Sequence, residues 1–149
     1  MAGVVALLAL TATGCKVDVP DTDVPATQRP ACAALVEGLP ASVSDQERRE
    51  TKGNPLGAAW GDPAIVLRCG VGKPADYDPL AGCQRVNGMD WYIPPKGMND
   101  QQADVVMTTY GRVPAVEVAL PAEYRPPVAA MVDLGAAIEK HTRLVKRCS

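Results

Sequence analysis

The chain has 149 residues, a length suited to one domain around one core, with a formal net charge of −2 and a pI near 5.3. That mildly acidic balance excludes a nucleic-acid partner, which requires a basic surface. Phe is absent and aromatic residues make up 4%, so Val, Leu, Ile, Ala and Met must fill the core.

Residues 1–14 read as a lipoprotein signal peptide. The apolar run falls within the ~7–15 residues of such a signal and below the ~20 that a membrane-spanning helix needs. It has no Lys or Arg before it, and it ends in Ala12-Thr13-Gly14 ahead of Cys15. Small residues directly before a cysteine form a lipobox. Cleavage there leaves Cys15 as the first residue, its thiol carrying lipid, and places the protein on the outer face of the cytoplasmic membrane. The membrane is then a partner through that lipid. The competing reading is an uncleaved anchor, or a buried apolar segment with an incidental cysteine.

Residues 15–30 alternate Asp, Val, Thr and Pro without an apolar stripe, the pattern of a disordered tether with a reach of at most ~50 Å. Residues 31–149 form a single domain. Ala31–Glu37 predicts a short helix that stops at Gly38 and cannot pass Pro40. Asp45–Glu50 is polar and of mixed charge and reads as an exposed helical turn. Ala64–Cys69 is a β-branched apolar run between Asp62-Pro63 and Gly70, hence a strand with Ile65, Leu67 and Cys69 on one face and Arg68 on the other.

Gln84–Val86 and Met89–Trp91 flank Asn87-Gly88, the strongest short hairpin signal, because a type I′ turn needs positive φ at both central residues. That register sets Arg85 opposite Asp90 and Val86 opposite Met89. A second hairpin runs from Asp104 to Leu120 through Gly111-Arg112, with Val116, Val118 and Leu120 sharing a face and Pro114 suited to an edge. After Pro126-Pro127, the spacing of Met131, Leu134, Ile138, His141, Val145 and Cys148 predicts one amphipathic helix reaching Cys148. The fold class is therefore α+β: a small antiparallel sheet of about four or five strands packed with an N-terminal and a long C-terminal helix.

Five cysteines less the lipidated one leave Cys32, Cys69, Cys83 and Cys148, an even set that in an exported domain points to disulfides. Zinc is the rival use, but there is no Cys-x-x-Cys pair and only one histidine, so neither a metal nor another cofactor is expected. Chain order favours a local Cys69–Cys83 bridge and a Cys32–Cys148 bridge joining the first helix to the last.

Nucleophilic catalysis has no natural centre when His141, the only histidine, sits on a packed helix stripe. Gly70-Val71-Gly72-Lys73-Pro74 lacks the spacing of a phosphate-binding loop. The acids Asp62, Asp76, Asp78 and Asp90 lie near the tryptophans, the ingredients of carboxylate-based glycan cleavage, yet Asp62 suits a turn before Pro63 and Asp90 a pairing with Arg85. Trp60 and Trp91 remain, each beside an aspartate. They either plug the core or, with Asp62, Arg68 and Asp90, line an exposed binding patch.

In its Ala59-Trp60-Gly61-Asp62-Pro63, Arg68-Cys69-Gly70 and Gly88-Met89-Asp90-Trp91 blocks, and in Thr108-Thr109-Tyr110-Gly111-Arg112, the chain resembles an actinobacterial family of exported or lipid-anchored envelope proteins of unknown function. The resemblance spans about Cys32 to Cys148 and implies a compartment but no activity. The reading is thus a lipid-anchored envelope protein that acts as a non-enzymatic accessory or interaction module. The alternative is a binding protein for a cell-wall glycan or peptide, with a carboxylate-based wall hydrolase behind it.

Overall fold

A computed structural model describes residues 14–149, so the signal-peptide reading falls almost wholly outside the described residues. In chain order the elements are β1 (Val17–Val19), α1 (Arg29–Gly38), β2 (Ser42–Val43), β3 (Gln46–Arg49), β4 (Thr51–Gly53), β5 (Gly57–Trp60) and β6 (Ile65–Cys69). There follow β7 (Cys83–Val86), β8 (Met89–Tyr92), α2 (Pro95–Asn99), β9 (Val105–Thr109), β10 (Arg112–Val113), β11 (Val116–Leu120), a 3₁₀ turn at Ala122–Tyr124, α3 (Val128–His141) and β12 (Arg143–Leu144).

Eight of these strands form one antiparallel sheet in the order β2-β3-β5-β6-β11-β9-β8-β7, so the sheet is larger than the four or five strands that the sequence predicts. The central strands follow the expected alternation. Ile65, Leu67 and Cys69 of β6, Val116, Val118 and Leu120 of β11, and Val105 and Met107 of β9 are all fully buried on one face. The helices cover that face. α1 contributes Cys32 and Leu35, and α3 contributes Ala130, Met131, Leu134 and Ile138, to the same core. The Asn87-Gly88 hairpin forms in the expected register, with φ of 48° and 78° at its two turn residues.

Among the strands that enlarge the sheet, β5 is apolar and buried, whereas β3 comes from polar sequence. Gln46–Arg49 is β3 rather than a helical turn, entered through Ser44 and Asp45 at φ of 49° and 61°, and it lies along β5 with Arg48 opposite Trp60. Tertiary contacts select this conformation: the Arg48 guanidinium stacks 5.6 Å from the Trp60 ring and donates to the Val36 and Leu39 carbonyls at the end of α1, which the helix itself leaves unsatisfied.

α3 stops at His141, short of Cys148. Thr142 turns extended, its N–H and hydroxyl both bonded to the Ile138 carbonyl, and the chain pairs instead with β10 as β12. Val145 is consequently exposed and His141 lies half-buried against Gly38 at the end of α1.

The disulfides connect Cys32 to Cys69 and Cys83 to Cys148, which corrects the expected Cys69–Cys83 and Cys32–Cys148 pairs. Cys69 points with Ile65 and Leu67 toward α1, where Cys32 sits. Cys83, at the far edge of the sheet, meets the tail that α3 releases.

Residues 15–30 are not a tether. β1 pairs in parallel with β4, Val19 and Val24 are buried, and the domain extends back to Val17 rather than beginning at Ala31. Gly57 permits this. A Cβ there would lie 2.6 Å from Val19 Cγ1, so only glycine lets the N-terminal segment lie directly on the sheet.

Candidate functional site

The predicted binding patch does not assemble. Trp60 and Trp91 are both completely buried, Trp60 donating its indole N–H to the Pro40 carbonyl at 3.0 Å. Their strands are separated by β6, β11 and β9, roughly 19 Å at about 4.8 Å per strand. Arg68 faces the opposite side of the sheet and holds Glu117 at 2.6 Å, and Asp62 is exposed in the β5–β6 turn. Asp90 is buried against Arg85 and accepts the Cys148 N–H at 3.0 Å. That hydrogen bond from Arg85, assisted by the Cys148 amide against the opposing effect of burial, holds the Asp90 carboxyl below the usual range. Asp78 receives the Leu80 N–H in a local turn, and the Asp76 carbonyl accepts from Tyr92. The Asp78 carboxylate is thus held within its own turn, and Asp76 is bonded through its backbone alone with an exposed side chain.

The face of the sheet away from the helices carries a different constellation. One row of paired residues crosses it: Gly57, Arg68, Glu117, Thr108, Tyr92 and Cys83, each opposite the next in the strand register. Val19 covers the Gly57 end. The Cys83 end is bonded to Cys148, which draws the C-terminal tail over the sheet. Between the two covered ends, Tyr92 and Thr108 form the floor of a cleft of about 320 Å³. Its walls are the loop around Lys73, Pro74 and Tyr77, and the tail at Val145 and Lys146, with Tyr110 and Gly111 between them.

Both walls are fixed. The Tyr92 hydroxyl donates to the Asp76 carbonyl at 3.0 Å and accepts the Asp78 N–H at 2.9 Å, so one phenol pins the loop from below. The Gly111 carbonyl accepts from Val145 and Lys146 N–H at 2.8 and 3.2 Å, pinning the tail. Gly111 has φ of 65°, and a Cβ there would collide with the Lys146 carbonyl, so the tail takes this path only over glycine.

The lining is aromatic and cationic. Tyr77 and Tyr92 pack with ring centroids 5.0 Å apart, the Lys73 ammonium lies 4.0 Å above the Tyr77 ring, and that of Lys146 lies 5.9 Å from the Tyr110 ring. Desolvation first, and then the neighbouring Tyr110 hydroxyl, push the Tyr77 phenol upward, so it is neutral at physiological pH. Arg112 lines the cleft and is buried, with its guanidinium bonded to Thr142 and its Nε without a partner among the described residues. No aspartate or glutamate lines this cleft, and none of the ion pairs among the described residues involves Lys73, Lys146 or Arg112. A second cleft beyond Lys73 is of opposite character, holding Asp21, Asp23 and the Arg68–Glu117 pair.

The sequence reading missed this site by following the tryptophans. The chain has four tyrosines, and Tyr77, Tyr92 and Tyr110 converge here. Among the described residues there is no cluster of metal-ligating side chains and no helix long and apolar enough to cross a membrane. No curated protein and no solved structure matches the chain. Residues 1–146 match the family described as "Protein of unknown function (DUF3515)", and with nearly its whole length inside that match the chain belongs to this family.

Proposed function

We propose that this protein is a lipid-anchored component of the cell envelope, on the outer face of the cytoplasmic membrane, that binds a small ligand of the cell wall without catalysis. The observation that carries the binding reading is the cleft over Tyr92 and Thr108, walled by two pinned segments and lined by Tyr77 and Tyr110. Its volume of about 320 Å³ falls at the lower end of the ~300–1,000 Å³ of small-molecule sites. Tyrosines stack on flat or sugar rings and donate hydrogen bonds to them, which suits a wall glycan or peptide fragment.

The anchoring half rests on the sequence before Cys15 and on the two disulfides, which suit an oxidising compartment. Cys15 is exposed, its carbonyl accepts from Arg49 at 2.8 Å, and β1 begins two residues later. A lipid on Cys15 therefore holds the domain directly at the membrane surface instead of at the end of a long tether.

One fractionation experiment tests both halves. Membranes from cells making the parent chain should retain it together with labelled soluble wall fragments. Cys15→Ala should leave the membrane fraction yet still bind the fragments, and Tyr110→Ala should stay on the membrane and lose them. Retention of Cys15→Ala on the membrane would refute the anchor, and undiminished binding by Tyr110→Ala would refute the cleft.

A further inference from the structure

Resting on the cleft as a binding site, we infer that its ligand is an acid carried on a ring, with the carboxylate or phosphate held between Lys73 and Lys146. Three features of the cleft lead there. The ammonium groups stand on opposite walls, one on the loop and one on the tail, and neither has a carboxylate partner among the described residues. Among the described residues the charges lining the cleft are all positive, and the buried guanidinium of Arg112, which pairs with no acid among them, adds to the same potential. Both ammonium groups already lie over tyrosine rings, so ring and charge are presented side by side.

An acid entering the cleft accepts hydrogen bonds from lysines whose ammonium groups have no hydrogen-bond acceptor among the described residues, while its ring lies against Tyr77 and Tyr110. Lysine is a compact point charge rather than a planar fork, so carboxylate and phosphate are both accommodated. The neutral Tyr77 phenol adds a donor and no opposing charge. Asp21 and Asp23 beyond Lys73 repel an anion that strays along the sheet, which confines the acid to the tyrosine end and limits the ligand's length.

The test is calorimetric titration of the full oxidised chain in detergent with matched probes. Benzoate is set against benzamide, phenyl phosphate against phenol, glucuronate against glucose, and inorganic phosphate stands alone. At least one charged ring compound should bind tenfold or more tightly than its neutral match, and the preference should shrink as salt rises. Lys73→Gln and Lys146→Gln should each weaken that compound three- to tenfold with an unchanged thermal midpoint, and Lys146→Arg should restore most of it. The benzoate, phosphate and glucuronate arms identify which acid and which ring, and any of them satisfies the inference. Equal binding of charged and neutral members would overturn the acid while leaving the cleft reading intact. Inorganic phosphate binding as tightly as phenyl phosphate would overturn the ring. Binding by none of the probes would overturn the inference and the cleft reading together.

Discussion

The two faces of the eight-stranded sheet are closed in different ways. One is sealed by α1 and α3, whose apolar stripes meet the inward residues of β6, β9 and β11 with no exposed side chain between them. The other is crossed by two lengths of chain without helical structure, residues 17–24 over Gly57 and Gly70 and residues 143–148 over Gly111. A helix offers a continuous apolar surface and buries everything beneath it. An extended segment covers only the row it crosses, so the second face keeps a cleft whose floor is the buried Tyr92 and Thr108. The buried core lies on the first face and the cleft on the second, the usual division between a rigid scaffold and the loops it positions.

The largest effect that this comparison predicts is on the helix face. Leu134→Asp puts a carboxylate where the side chain is fully buried and removes its packing, a loss of roughly 5–8 kcal/mol against a total of ~5–15. The variant should be unfolded or nearly so by urea titration. Lys140→Asp, on the exposed side of the same helix, should shift the midpoint little. Similar midpoints for the two would break the assignment of this face as the core.

The disulfides separate the faces more finely. They close loops of 37 and 65 residues, each contributing about 4 kcal/mol in the chain-entropy estimate. Cys32→Ala with Cys69→Ala should cost more than that, because both sulfurs are fully buried under α1 and leave a cavity. Cys83→Ala with Cys148→Ala should cost about the entropic amount but also release the tail that carries Lys146, abolishing ligand binding at temperatures where the domain is still folded. If the second pair lost stability and kept binding, the tail would not be part of the site.

The smallest effect lies in the Asp90–Arg85 pair beneath the tail. The folded pKa of Asp90 is below its unfolded value of ~3.9, so its contribution is present above that value and is lost as pH falls through it and then through the lower folded one. Asp90→Asn should lower the thermal midpoint at pH 7 by roughly 5 °C, and the gap from the parent should close as the pH falls below about 4. A gap independent of pH would mean that the carboxylate's charge does not hold the tail.

Features set by neighbouring residues were legible in the chain. Asn87-Gly88 accepts positive φ and so places Arg85 opposite Asp90. The alternation at 65–69 puts Arg68 outside and Cys69 inside, and the spacing of Met131, Leu134 and Ile138 marks the buried stripe of α3. Such features depend on backbone conformation and on a period of two or three to four residues, which a few adjacent side chains express. What depends on distant partners was not legible. Val19 and Val24 sit in a Pro- and Asp-rich stretch and are buried only because Gly57 and Gly70 leave room for them. Gln46–Arg49 becomes a strand because Trp60 and the end of α1 hold Arg48. Thr142 ends α3 early because the tail pairs with β10, which reassigns Cys148 from Cys32 to Cys83. Tyr77, Tyr92 and Tyr110 come from three separate segments, and it is strand order and that disulfide, both decided by the global packing of the core, that bring them to one cleft.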